Sequence, residues 1–251
     1  MFSNLVLIPI SFLFFQTVNK HISAKSVPKS CTKQLTWINI FTSFIHSSIT
    51  GMGSLYIFYQ NPQAFDSVIL AKDQSGIAHI FCVITTGYFI YDTLDMLKEA
   101  ANQKGGKIDW TLLLHHSVCI CCFTWATFEP LLRMYAMSAL LHEVQSIFLH
   151  FRRLLNLAKI RRDSFIYFVA KYLNLLTFLV FRFYVNYFML VDTYRNASKV
   201  YGEQSEYKTS LTVLGVMVNL TFIGLNLDVF NKLMRSDFSL GKKESSKAKT
   251  G

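Results

Sequence analysis

The chain has 251 residues, of which 52% are hydrophobic and only 16% charged, with a formal net charge of +10. So little charge over this length excludes an ordinary soluble domain. The basic excess does not describe a nucleic-acid surface either, because Lys and Arg fall between and after apolar segments, where membrane topology and anionic headgroups place them.

A bilayer-spanning helix needs about 20 mostly apolar residues. Seven segments are candidates, at about 2–18, 37–58, 76–94, 111–128, 132–150, 165–190 and 210–230. The expected fold is therefore all-α: a multi-pass membrane helix bundle of about seven transmembrane helices. The first segment is the shortest, and a cleaved signal peptide is its alternative reading. It lacks a basic start and a small-x-small cleavage site, and cleavage would invert every later loop. Between the fourth and fifth segments, Glu129-Pro130-Leu131 predicts a tight turn with Pro as the breaker. Four Pro and eleven Gly leave little room for linkers, and there is no internal repeat.

Loop charges set the orientation. The loops after segments one, three and five, with the tail, hold 18 Lys and Arg against 5 on the other side. This asymmetry predicts an outside N-terminus and a cytosolic C-terminus. Residues 1–34 read as a first helix with a basic loop, and 236–251 as a basic cytosolic tail that meets anionic headgroups. The sequon at Asn196 falls in an outside loop expected at about 191–209, so Asn196 is a glycosylation candidate. A second sequon at Asn219 lies within the last helix. Near the C-terminus, Lys247 and Lys249 have the spacing of an endoplasmic reticulum retrieval signal.

Ionisable groups interrupt the apolar segments, and such groups are functional candidates because hydrocarbon excludes them unless they face a polar interior. Two adjacent imidazoles, His115 and His116, sit in the fourth segment. Asp92 and Asp95 share a face of the third by their spacing of three. His46, His142, Glu143, Lys171 and Arg182 lie in the second, fifth and sixth segments. At about 100° per residue, Lys171, Asn174 and Arg182 fall on one stripe. The topology brings these groups toward the cytosolic half of the bundle, where they can converge on one cavity. Imidazoles beside carboxylates suit proton transfer, with His115, His116, Asp92 and Asp95 as catalytic candidates. The others are candidates for a lipid or acyl cavity. The competing reading is that all of them tie helices together by hydrogen bonds. No metal site is expected, because Cys119, Cys121 and Cys122 are too close in sequence and point around different helix faces.

The stretch Gly87-Tyr-Phe-Ile-Tyr-Asp-Thr-Leu-Asp-Met-Leu, followed by Trp110 and Leu114-His115-His116, resembles the TLC domain. So do Trp37-Ile-Asn-Ile, Ser43-Phe-Ile-His46-Ser, Lys171-Tyr-Leu-Asn174 with Phe181-Arg182, and Leu233-Met-Arg-Ser-Asp-Phe238. Together they are most similar to the calfacilitin-like branch of TLC domain-containing proteins one and two, over about 35–240. The resemblance implies a TLC core of six helices, placed at 35–235. It also implies regulation of phospholipid acyl composition and membrane fluidity at the plasma membrane, including how polyunsaturated chains enter phospholipids. The wider family contains ceramide synthases, which pair the double His with a His-Asp-x-x-Asp motif. Here His142-Glu143 holds the analogous place and Ser146 stands at the second Asp position. That departure argues against sphingosine N-acylation. An acyl-CoA-dependent acyltransferase is the enzyme alternative, with acyl-CoA as its substrate and no resident cofactor. A seven-helix receptor or channel fits the helix count alone. Membrane phospholipids or acyl chains are the expected partners, with no nucleic acid.

Overall fold

The computed structural model describes residues 2–73, 76–102, 108–200 and 208–238. The α-helices are α1 (Phe2–Thr17), α2 (Gln34–Gln60), α3 (Ile77–Asn102), α4 (Trp110–Phe128), α5 (Arg133–Leu140), α6 (His142–Leu157), α7 (Phe165–Phe178), α8 (Val185–Val200) and α9 (Lys208–Phe238). No strand occurs among the described residues. The tail from 239 onward, with Lys247 and Lys249, lies outside the described residues, as do residues 201–207 of the loop expected at about 191–209.

The seven expected segments are present with altered bounds. The fifth is two helices, because the chain turns at Leu141 between α5 and α6. The sixth is continuous from α7 to α8 through a π-helical turn at Leu179–Tyr184, and it runs to Val200 rather than ending near 190. Its added length is polar, and loop chemistry alone did not reveal it. Among the described residues, four helical stretches are long and apolar enough to cross a membrane by length and composition: Ile77–Asn102, Trp110–Phe128, Phe165–Asn196 and Thr212–Asp237. The remaining three differ for visible reasons. α1 has only 16 residues, α2 carries a buried Ser, Thr and Gly stripe, and the α5–α6 segment is interrupted.

Helix ends follow local chemistry. Asp109 caps α4, its Oδ1 accepting from the Leu112 amide at 3.1 Å. The turn at Glu129-Pro130-Leu131 forms as expected, with Pro130 opening a 3₁₀ turn and the Glu129 carboxylate accepting from the Leu131 amide. Proline suits a first helical position because its missing N–H has no intrahelical partner there.

Packing closes six segments into a ring: α2 lies against α3, α3 against α4, α4 against α9, α9 against α8, and α6 against both α7 and α2. The short α5 lies inside that ring, touching α2, α3, α4 and α8. Its Met134, Met137 and Leu140 are fully buried, so α5 plugs one end of the ring with apolar side chains. α1 stands outside, packed on α3. Gly87 permits that approach, since a Cβ there would lie 2.5 Å from Ser11 Cβ and 2.7 Å from the Ile8 carbonyl oxygen. Ser11 Oγ donates to the Ile84 carbonyl at 2.9 Å across the same contact. Small residues at such crossings let apolar helices pack closely where no hydrophobic effect drives them together.

Candidate functional site

With α5 filling one end, the ring encloses a cavity of about 620 Å³ at the other, where α2 and α4 begin and α3, α6 and α9 end. Its wall is largely apolar, with polar side chains converging at the inner end. His46, Asp92, His115, His116, Glu143 and Arg182 all line it, so six candidate residues from five segments meet in one space. Nearer the mouth are Asn39, Glu99, Asp109, Arg153 and Lys232.

The two adjacent imidazoles have different surroundings. His116 is buried, and its Nε2 lies 3.5 Å from Asp92 Oδ2. Its Nδ1 lies 3.3 Å from Thr93 Oγ1, so α3 engages both ring nitrogens. His115 is one helical step away. Its Nε2 is 3.7 Å from Cys119 Sγ, one turn along α4. Its ring meets the edge of Phe222 on α9, with centroids 5.6 Å apart.

Glu143 reaches the cavity because α2 and α6 nearly touch. A Cβ on Gly51 would lie 2.9 Å from the Val144 nitrogen and 3.0 Å from the Glu143 carbonyl carbon. This contact brings Ser47 Oγ to within 2.6 Å of Glu143 Oε2, to which it donates. His46 lies on the same helix, stacked on the Tyr88 ring with centroids 3.7 Å apart. Its buried Nε2 has no hydrogen-bond partner among the described residues.

Arg182 holds three partners in the cavity wall through three separate nitrogens. Its Nε donates to Gln145 Oε1 at 2.8 Å, one terminal nitrogen to Asn226 Oδ1 at 2.9 Å and the other to Ser146 Oγ at 2.9 Å. Gln145 Nε2 in turn donates to Asn174 Oδ1 at 2.7 Å. The network joins α6, α7 and α9. Arg182 lies within the π-helical turn, a local widening that re-aims side chains and often occurs at functional positions. Ser146, at the second acidic position of the motif considered above, accepts from Arg182 and leaves no carboxylate there.

Four sequence candidates fall outside this cavity. Asp95 does not line it, although Asp92 does; Glu99, seven residues beyond Asp92 and almost in line with it, takes part instead. Two turns of helix restore the same face, whereas a spacing of three leaves about 60° between side chains. His142 faces a second cavity. Asn174 stands behind Gln145. Lys171 donates to the Asp237 carbonyl at 3.0 Å and so caps the C-terminal end of α9. Other functional candidates were not singled out from the sequence. His150 lines the cavity with its Nδ1 unbonded among the described residues. Gln145 and Asn226 hold Arg182. Arg152 forms a buried 2.5 Å pair with Asp237. The available signal was helical spacing, since Glu143, Ser146 and His150 recur at three, four and seven residues along α6.

Asn196 lies on α8 rather than in a loop. Its Nδ2 donates to Asp192 Oδ1 at 2.8 Å, and its Oδ1 accepts from Lys199 at 2.8 Å. Asn219 is buried in α9, where its amide donates to the Tyr135 hydroxyl and the Gly215 carbonyl.

The sequence that builds this six-segment ring, with its two adjacent histidines, matches a known family. Residues 36–235 match the TLC domain. The chain belongs to the TLC-domain family. Curated relatives agree along most of its length. TLC domain-containing protein 2 of Danio rerio is 34% identical over 232 residues, covering 92% of this chain and 89% of the relative. TLC domain-containing protein 1 of Gallus gallus is 30% identical over 202 residues, covering 80% of this chain and 74% of the relative. TLC domain-containing protein 1 of Homo sapiens is 29% identical over 206 residues, covering 80% and 75%. The TLC match begins at residue 36, after α1, although α1 packs directly on the domain through Gly87.

Proposed function

We propose that this TLC-domain protein handles acyl chains of membrane phospholipids, and thereby sets phospholipid acyl composition and membrane fluidity, limiting polyunsaturated chains. The observation that carries this reading is the cavity in the ring where polar side chains from five segments meet over a largely apolar wall, reached from the helix ends where the basic loops lie. Cavities of about 300–1,000 Å³ with a few convergent polar groups are typical of small-molecule sites. The charge asymmetry of the loops supports a cytosolic mouth, where Arg153 and Lys232 would meet phosphate-bearing headgroups. The plasma membrane is the proposed location, with the endoplasmic reticulum as the alternative that Lys247 and Lys249 would direct.

The approach of His116 to Asp92 favours one chemical form of this reading, transfer of an acyl group from acyl-CoA to a lipid hydroxyl or amine. In that reaction Asp92 holds the His116 imidazole through Nε2, and Nδ1 accepts the proton of the attacking group as that group displaces the 3.3 Å contact with Thr93 Oγ1. The new ester or amide bond forms at the acyl carbonyl as the thioester bond breaks, and the proton passes to the leaving thiolate. His115 lies on the same wall and is the alternative base.

The test is lipid profiling of cells that carry the wild-type chain or the His116→Gln variant, normalised to folded protein. It is paired with purified protein in lipid nanodiscs supplied with acyl-CoA and a lysophospholipid. Altered acyl composition in cells without product in nanodiscs supports handling or regulation. Product in nanodiscs that requires His116 supports transfer. An unchanged cellular profile in the absence of the chain would sink both.

A further inference from the structure

A second cavity of about 400 Å³ lies between α4, α5, α8 and α9, toward the end of the ring that α5 plugs. Phe222 separates it from the polar cavity. The Phe222 ring stands 5.6 Å from that of His115 on one side and 6.2 Å from that of His142 on the other, measured between centroids. The lining has a different chemistry: no Asp, Glu, Lys or Arg contributes among the described residues. Its rim includes Cys121, Trp125 and Leu214, which are exposed on the outer surface of the bundle. α4 and α9 pack together only sparsely, so the opening faces sideways, toward the bilayer. At the back are two buried polar groups that the bundle leaves unsatisfied. Asn186 is 2% exposed and His142 is 6% exposed. Neither Asn186 Nδ2 nor His142 Nε2 has a hydrogen-bond partner among the described residues.

A buried amide N–H without an acceptor is costly, and in native structures it calls for an explanation. A ligand that meets it must be soluble in the bilayer, must be uncharged to enter a cavity without counter-charges, and must carry an oxygen acceptor to the back wall. We propose that this cavity is a lateral binding site for an uncharged lipid bearing one hydroxyl or carbonyl oxygen, which enters between α4 and α9 and accepts a hydrogen bond from Asn186. The site is separate from the polar cavity, and its occupancy does not depend on the function assigned there.

The experiment uses the full chain in phosphatidylcholine nanodiscs and a photoactivatable, alkyne-tagged long-chain alcohol, with attachment sites located by mass spectrometry. Labelling of residues on α4, α8 and α9 that line the cavity is expected, and excess untagged octadecanol or cholesterol should suppress it. Which competitor acts distinguishes a linear alcohol from a sterol; suppression by neither overturns the site. Val218→Phe fills the cavity and should reduce labelling about tenfold without lowering the thermal midpoint, because it occupies existing space. Ala139→Leu fills the same space from α5 and serves if Val218→Phe does not fold. Asn186→Leu should reduce labelling by the alcohol about fivefold, the loss of one neutral hydrogen bond. A matching probe without oxygen should label that variant as it labels wild type. Equal labelling of wild type and a folded cavity-filled variant, or attachment confined to outward-facing residues, would overturn the proposal.

Discussion

His116 Nε2 stands 3.5 Å from Asp92 Oδ2, linking α4 to α3 at the wall of the polar cavity. The pair is partly reachable from the cavity, since the aspartate side chain retains 19% of its exposure while the imidazole retains 4%. A purely structural tie has no need of that opening. The same geometry makes the pair separable by experiment. His116→Ala and Asp92→Asn should each abolish the effect on phospholipid acyl composition per folded molecule, and the double variant should be no worse than either, because both act through one imidazole. Lipid profiles normalised to folded, correctly located protein check this. Parallel loss of abundance and effect would instead assign the pair to helix packing.

Arg182 predicts a stability effect. Arg182→Leu removes three donors and leaves Gln145, Ser146 and Asn226 without them. Interhelical hydrogen bonds in membranes average about 0.6 kcal/mol each, so the three together set an expected loss of about 2 kcal/mol. Thermal unfolding in detergent should show a lower midpoint. Arg182→Lys should recover only part of it, because one ammonium cannot span partners that a planar guanidinium reaches.

At Asp237 a larger effect is expected. Its carboxylate pairs with Arg152 at 2.5 Å, with side chains 1% and 8% exposed. Asp237→Ala leaves the guanidinium buried without its counter-charge, a change that costs about 3–5 kcal/mol. Denaturation of Asp237→Ala, Arg152→Ala and the double variant should give a double-variant loss smaller than the sum of the singles. Additive losses would mean that the pair contributes no coupling.

Gly87 tests the attachment of α1. Gly87→Leu places side-chain atoms where Ser11 and the Ile8 carbonyl now lie, and overpacking of this kind costs about 1–3 kcal/mol. A cysteine introduced at the buried Phe15 position should react with a membrane-permeant thiol reagent more readily in the Gly87→Leu background. Unchanged reactivity would place the strain elsewhere.

Asn196 gives the orientation test. If α8 ends outside the cytosol, protein made in eukaryotic cells should shift in mobility on glycosidase treatment, and Asn196→Gln should remove that shift. The helical setting adds a quantitative expectation. Asn196 is tied to Asp192 and Lys199, whereas glycosylated sequons favour surface loops. Occupancy should therefore be partial, and it should rise in Lys199→Ala, which releases the acceptor amide. Cytosolic-only labelling of a cysteine placed at position 199 would overturn the orientation.

The linear chain was enough to locate the apolar segments, the Pro130 turn and the polar positions most expensive to hold in hydrocarbon, because each depends on residues close together in sequence. His115, His116, Asp92 and Glu143 were recognisable from that expense. Their convergence on one cavity was expected from the topology, but which of them line it depends on ring closure: Gly51 admits the α6 backbone, and α5 fills one end so that space remains at the other. Helical spacing alone paired Asp92 with Asp95, but the orientation of α3 in the ring selected Glu99. His142 and Glu143 are adjacent on α6, but about 100° of helical rotation separates them, and the placement of α6 in the ring turns each toward a different cavity. Lys171 was drawn to the end of α9, a partner 66 residues away that periodicity cannot register. Local pattern thus determined what must be buried and roughly where each helix runs. Tertiary packing alone decided which buried polar groups face each other, because small residues and helix breaks set the angles at which the six segments meet.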